Sequence, residues 1–112
     1  MTWTTDPKML CFMLLVGHAL CDYPLQGDFL ARGKNHRNPI PGFPWWHCLL
    51  AHAMIHGGWV AALTGRVSLG IAETLAHVLI DYGKCDNRYG INADQALHVA
   101  CKLAIWLTVV YA

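Results

Sequence analysis

The chain has 112 residues, 55% of them hydrophobic and 13% charged, with a formal net charge of +1. That length holds one domain, and the charged share falls far below the ~25% usual in soluble domains. A nearly neutral chain has no basic field for nucleic acid, which is excluded as a partner.

Asp6-Pro7 begins the first element, because Asp caps free N–H groups and Pro fits the first helical turn. A helix is expected over residues 7–22. Lys8 is the only basic residue before its apolar run and no A-x-A site follows, so it reads as an uncleaved first membrane helix, not a signal peptide. A short amphipathic helix over residues 25–32 sets Leu25, Phe29 and Leu30 against Gln26, Asp28 and Arg32. Residues 33–44, with three Pro and two Gly, form a loop in which His36 reads as solvated. Residues 45–64 carry no formal charge and make about 30 Å of helix at 1.5 Å per residue. Gly65-Arg66 is a tight turn, residues 67–82 a third long helix, 83–92 a polar loop, and 93–112 a fourth long helix running to the last residue.

The aromatics sort into two belts, Tyr23, Trp45, Trp46 and Tyr82 at one set of helix ends and Trp3, Trp59, Trp106 and Tyr111 toward the other. No charged stripe appears on residues 45–64 at any helical phase. The expectation is an all-α, polytopic membrane four-helix bundle, with the short amphipathic helix after helix one. Mean hydropathy is only +0.33, because seven histidines and several carboxylates interrupt the apolar segments. Arg32, Lys34, Arg37, Lys84 and Arg88 outnumber Lys8 and Arg66, which places the two polar loops in the cytoplasm. Five cysteines without C-x-x-C spacing read as small buried apolar residues, not a disulfide framework.

The polar residues inside the helices carry the chemistry. Each long helix holds a pair at i, i+4: His18 and Asp22, His52 and His56, His77 and Asp81 (with Glu73 one turn before), and Asp94 and His98. This spacing puts both members on one helix face. Alternating up-down topology brings all four pairs to one level near the cytoplasmic interface, with His56 and Glu73 deepest. Charge buried in hydrocarbon is costly unless paired inside a bundle. A divalent cation is the simplest shared partner, zinc foremost, with His18, Asp22, His52, His56, His77, Asp81, Asp94 and His98 as candidate ligands. This inventory exceeds the four ligands of one zinc, which implies two metals or carboxylates that orient ligand histidines. Asp22, Glu73 and Asp94 are the candidate general bases toward a metal-activated water. Lys102 continues the Asp94–His98 stripe and is expected to pair with Glu73. His47 lies off the face of His52 and is left out.

The motifs H-x3-D-Y-x-L-Q-x-D (His18 to Asp28), Lys34, H-x3-H (His52, His56), H-x3-D-x2-K (His77, Asp81, Lys84) and D-Q-x2-H (Asp94, Gln95, His98) resemble a bacterial and phage family, domain of unknown function 3307, over about residues 12–105. The resemblance implies a small multi-pass protein of the bacterial inner membrane with no established activity. It also implies that Gln26, Asp28 and Gln95 belong to the site or its surroundings. The family is similar in style to membrane-bound proteins described as metal-dependent hydrolases, a fold-level analogy.

Three functions stay open. One is a metal-dependent hydrolase acting on a phosphoester or lipid headgroup. Another is a non-catalytic membrane protein with a structural metal or polar core, working through a homo-oligomer or a membrane protein partner. Small residues at Gly57, Gly58, Ala61 and Ala62 permit such close helix packing. The third is proton or metal-ion transport. All three place the chain in a lipid bilayer.

Overall fold

A computed structural model describes residues 5–112, and these form five helices and no strand. Helix α1 spans Pro7–Asp22, α2 Gly27–Gly33, α3 Trp45–Thr64, α4 Val67–Cys85 and α5 Ile91–Tyr111. Trp3, placed above in an aromatic belt, lies outside the described residues.

Local chemistry sets several of the helix ends. Asp6 Oδ1 accepts the Lys8 backbone N–H at 3.0 Å, with Pro7 in the first turn. Helix α3 stops at Gly65, whose left-handed φ of 70° suits a residue without Cβ and closes the two-residue turn into α4. Helix α4 runs on to Cys85, past the expected end at residue 82. Gly83 does not break it, because its bare Cα makes room for Tyr89. A Cβ there would lie 2.6 Å from the Tyr89 hydroxyl, which donates to the Ile80 carbonyl. Helix α5 begins two residues before the expected position.

The long helices pack in a ring. Helix α1 lies against α3 and α5, α4 against α3 and α5, and α2 against α3. The α3–α4 approach is close because glycines line it. A Cβ on Gly57 would sit 1.9 Å from Thr74 Oγ1 and 2.5 Å from the Gly70 carbonyl oxygen. Helix α2 bends 81° away from α1, carrying the chain toward α3.

The distribution of polarity is inverted. The buried face of α4 is Gly70, Glu73, His77, Asp81 and Gly83, and that of α5 is Asp94, His98, Lys102 and Ile105. The outward face of α4 is apolar, with Ile71, Leu75 and Leu79 exposed by 56%, 61% and 73%. An apolar cluster of Leu10, Leu14, Val60, Leu63 and Ile105 fills part of the interior, and polar side chains occupy the rest.

The expected four membrane spans are not reproduced. Among the described residues, α5 alone is a single helix long and apolar enough to cross a bilayer, and α1 with α2 qualifies only as a bent pair. The polar side chains account for the difference. Helix α3 is lowered by three histidines and three tryptophans, and α4 carries Glu73, Asp81 and Lys84.

Candidate metal centre

Four helices each contribute an i, i+4 pair to one interior cluster. His18, Asp22, His52, His56, Glu73, His77, Asp81, Asp94 and His98 are all buried, none more than 8% exposed. The rings are in contact. His77 stacks between His56 and His98, with centroids 3.8 Å and 4.1 Å away, and His52 meets both His56 and His77 at 4.8 Å.

Asp22 is the meeting point. Its Oδ1 lies 3.1 Å from His52 Nε2, 3.2 Å from His56 Nε2 and 3.8 Å from His77 Nε2. Its Oδ2 accepts a hydrogen bond from Gln95 Nε2 at 2.7 Å. The Gln95 amide also donates to Asp94 Oδ2 at 3.1 Å, leaving its oxygen 2.9 Å from His18 Nε2. Carboxylates only accept, so the amide nitrogen must face them, and the amide oxygen then requires a proton on His18 Nε2. His18 is thereby a donor to Gln95.

Asp81 divides its two oxygens. Oδ1 lies 3.0 Å from His98 Nε2. Oδ2 accepts from Lys34 Nζ at 2.8 Å and stands 3.3 Å and 3.4 Å from the Nε2 atoms of His77 and His52. Asp94 Oδ1 is 3.3 Å from His98 Nε2. One turn from His77, Glu73 forms a buried ion pair with Lys102, as the stripe on α5 led one to expect.

The site residues inferred from sequence thus fall into groups. Gln95 ties His18 to Asp22, whereas Gln26 donates only to the Asp22 backbone carbonyl at 2.9 Å. Asp28 is not brought to the cluster. It lies on α2 with its side chain 81% exposed, paired with Arg32 at 3.0 Å. His36 is not solvated as expected; it stacks on Tyr82 at 4.0 Å and reaches Asp86 at 3.1 Å. Arg37, first, and then His36 hold the Asp86 carboxyl at about 2, well below its ordinary value. Lys34, 6% exposed, is the site residue that motif reading left unassigned. Its signal was a lone lysine in a loop, and only the bend of α2 carries it to Asp81.

The donor set suits a divalent cation. Asp22, His52, His56 and His77 each offer one ligand atom, all within 4.8 Å of one another; His77, Asp81 and His98 form a second such group sharing His77. Zinc bonds of ~2.0–2.1 Å in a tetrahedron put neighbouring ligand atoms roughly 3.3 Å apart. The distances of 3.1, 3.2 and 3.8 Å around Asp22 Oδ1 bracket that value. His77 Nε2 is buried and makes no hydrogen bond, and with the ring proton on Nδ1 it offers a lone pair for coordination. This buried His/Asp cluster could bind a metal ion.

A family model described as "Protein of unknown function (DUF3307)" matches residues 10–112. The chain belongs to the DUF3307 family. The match covers essentially the whole chain, and so every residue of the cluster lies within the DUF3307 region. No curated protein and no solved structure matches it.

Proposed function

We propose that this DUF3307 protein is a membrane-embedded metal protein, with one divalent cation, zinc foremost, held by His52, His56 and His77 beside Asp22. The observation that carries this reading is the convergence of three imidazole Nε2 atoms on one Asp22 oxygen at 3.1, 3.2 and 3.8 Å. Charge supports it. The buried carboxylates of Asp22, Glu73, Asp81 and Asp94 face the buried lysines Lys34 and Lys102, leaving a formal −2 when the imidazoles are neutral. One divalent cation offsets that charge. Two would leave the interior positive, so a single ion is the better fit.

The inverted polarity supports the bilayer. Apolar side chains exposed on the outside, with ionisable ones gathered inside, favour a hydrocarbon surround over an aqueous one. The molecule is 45 Å long, against ~30 Å of hydrocarbon core. The basic loop residues favour a cytoplasmic position for the polar end.

The activity we propose for the centre is hydrolysis of a phosphoester, such as a lipid headgroup, at that interface. A bound cation there supplies Lewis acidity toward water and a substrate oxygen. Three imidazoles suffice to hold it, which frees Asp22 as the base. Asp22 is the most exposed of the four donors, at 8%, and Gln95 fixes its orientation. Asp22 takes the proton of the attacking water and returns it to the departing alkoxide as the P–O ester bond breaks. A structural centre is the second reading, favoured by burial of all four donors and by closure with protein ligands alone.

Metal analysis of the purified protein tests both. One equivalent of metal, lost in His77→Ala, is expected, and a metal-free protein overturns the centre. Under the hydrolase reading Asp22→Ala keeps the ion and abolishes cleavage of bis(p-nitrophenyl) phosphate. Under the structural reading it loses the ion.

A further inference from the structure

The Glu73–Lys102 ion pair lies at the end of the cluster away from Lys34, and neither residue is more than 2% exposed. Stability does not explain such a pair, since desolvating two charges commonly costs as much as their attraction returns. Its neighbour offers a reason. His18, His52, His56, His77 and His98 all leave Nδ1 buried and without a hydrogen bond. Only His77 has an ion-pair contact from that nitrogen among the described residues, 3.6 Å from Glu73 Oε1. His77 is also the member of the cluster whose Nε2 makes no hydrogen bond.

A neutral imidazole carries one proton, and each His77 nitrogen faces carboxylate. The acceptors differ in what they already receive. Asp22 is engaged by His52, His56 and Gln95. Asp81 is engaged by Lys34 and His98. Glu73 has only Lys102 as a hydrogen-bond partner, through Oε1, and its Oε2 has none. On the Nε2 side the 3.3 Å neighbour, Asp81 Oδ2, already accepts from Lys34, and on the Nδ1 side Glu73 receives only Lys102, so Glu73 is the carboxylate with the fewest donors. We infer that Glu73, anchored by Lys102, is a positioning residue that holds the His77 proton on Nδ1 and leaves the Nε2 lone pair for an ion shared with His52, His56 and Asp22. It acts on the centre through His77 and is not itself the base. Carboxylates that accept from the far nitrogen of a ligand histidine fix tautomer and ring orientation, and their loss typically weakens metal binding 10–100-fold. The metal consequence rests on the proposed centre, whereas the tautomer does not.

The experiment is two-bond proton–nitrogen NMR of histidine-labelled, metal-free protein in micelles, followed by cobalt titration. Glu73→Gln is compared with Glu73→Gln/Lys102→Met, which leaves no unpaired charge behind if the single variant fails to fold. Wild-type His77 is expected to carry its proton on Nδ1. In the double variant the proton moves to Nε2 or divides between the nitrogens, and cobalt binds 10–100-fold more weakly with an altered visible spectrum. An Nε2–H tautomer in the wild type overturns the inference whatever the metal does. So does a double variant with unchanged tautomer and unchanged affinity. An Nδ1–H tautomer in a protein that binds no cobalt upholds the positioning of His77 and overturns the metal centre alone.

Discussion

Replacing Lys102 by Met is the sharpest test of the inverted interior. Lys102 is 2% exposed and its ammonium is paired with Glu73, itself 1% exposed. Methionine fills much the same volume, so packing changes little and charge changes by one unit. The variant leaves the Glu73 carboxylate buried, with Oε2 already lacking a hydrogen bond and the His77 ring as its nearest polar contact. Removing one partner of a buried pair costs roughly 3–5 kcal/mol, whereas replacing both by apolar groups is close to neutral. Lys102→Met is therefore expected to lose about 3–5 kcal/mol, and Lys102→Met/Glu73→Leu to recover most of it. Reversible denaturant unfolding of the metal-free protein in micelles, followed by far-ultraviolet circular dichroism, measures both arms of the cycle. A single-variant cost below about 1 kcal/mol, the range of exposed pairs, would refute the claim that these charges are shut away from solvent.

Two further outcomes follow from particular contacts. Gly57→Ala is expected to destabilise by about 1–3 kcal/mol, because the new Cβ meets Thr74 and the Gly70 carbonyl. Gly58→Ala, with open space around it, should be neutral or stabilising by up to ~1 kcal/mol; equal costs in thermal unfolding would contradict the α3–α4 packing. In the loop after α4, carboxyl NMR should place the Asp86 titration midpoint at about 2, moved toward the ordinary 3.8 by Arg37→Ala. The sign is that of a depressed carboxylate: the Arg37–Asp86 contact contributes fully above the ordinary value and is lost as pH falls through about 2. A wild-type midpoint near 3.8 would show that Arg37 does not hold Asp86.

What sequence could and could not show divides along the range of the interactions. The pairs His18–Asp22, His52–His56, His77–Asp81 and Asp94–His98 were legible because i, i+4 spacing is a local property of one helix. Their meeting was legible because an up-down order of the long helices brings the end of one beside the start of the next, with short connections on both sides of α4. Lys34 was not, since its path to Asp81 depends on the 81° bend between α1 and α2, which no periodicity encodes. Asp28 was misplaced for the same reason. Read as a continuation of the His18–Asp22 motif, it sits on a separate helix and turns outward to Arg32. His36 looked like a loop residue until Tyr82, 46 positions away, supplied a ring to stack on. The composition gave an ambiguous signal about the bilayer because the inversion acts on it twice. Placing ten ionisable helical residues inside lowers the hydropathy of the very helices whose outward faces are apolar. A window average over α4 therefore blends Leu75 and Leu79 with Glu73 and Asp81, although they lie on opposite sides of one helix. Hydropathy taken face by face separates the leucines from the carboxylates, and only that separation tells a bundle with a polar interior from one with a polar surface.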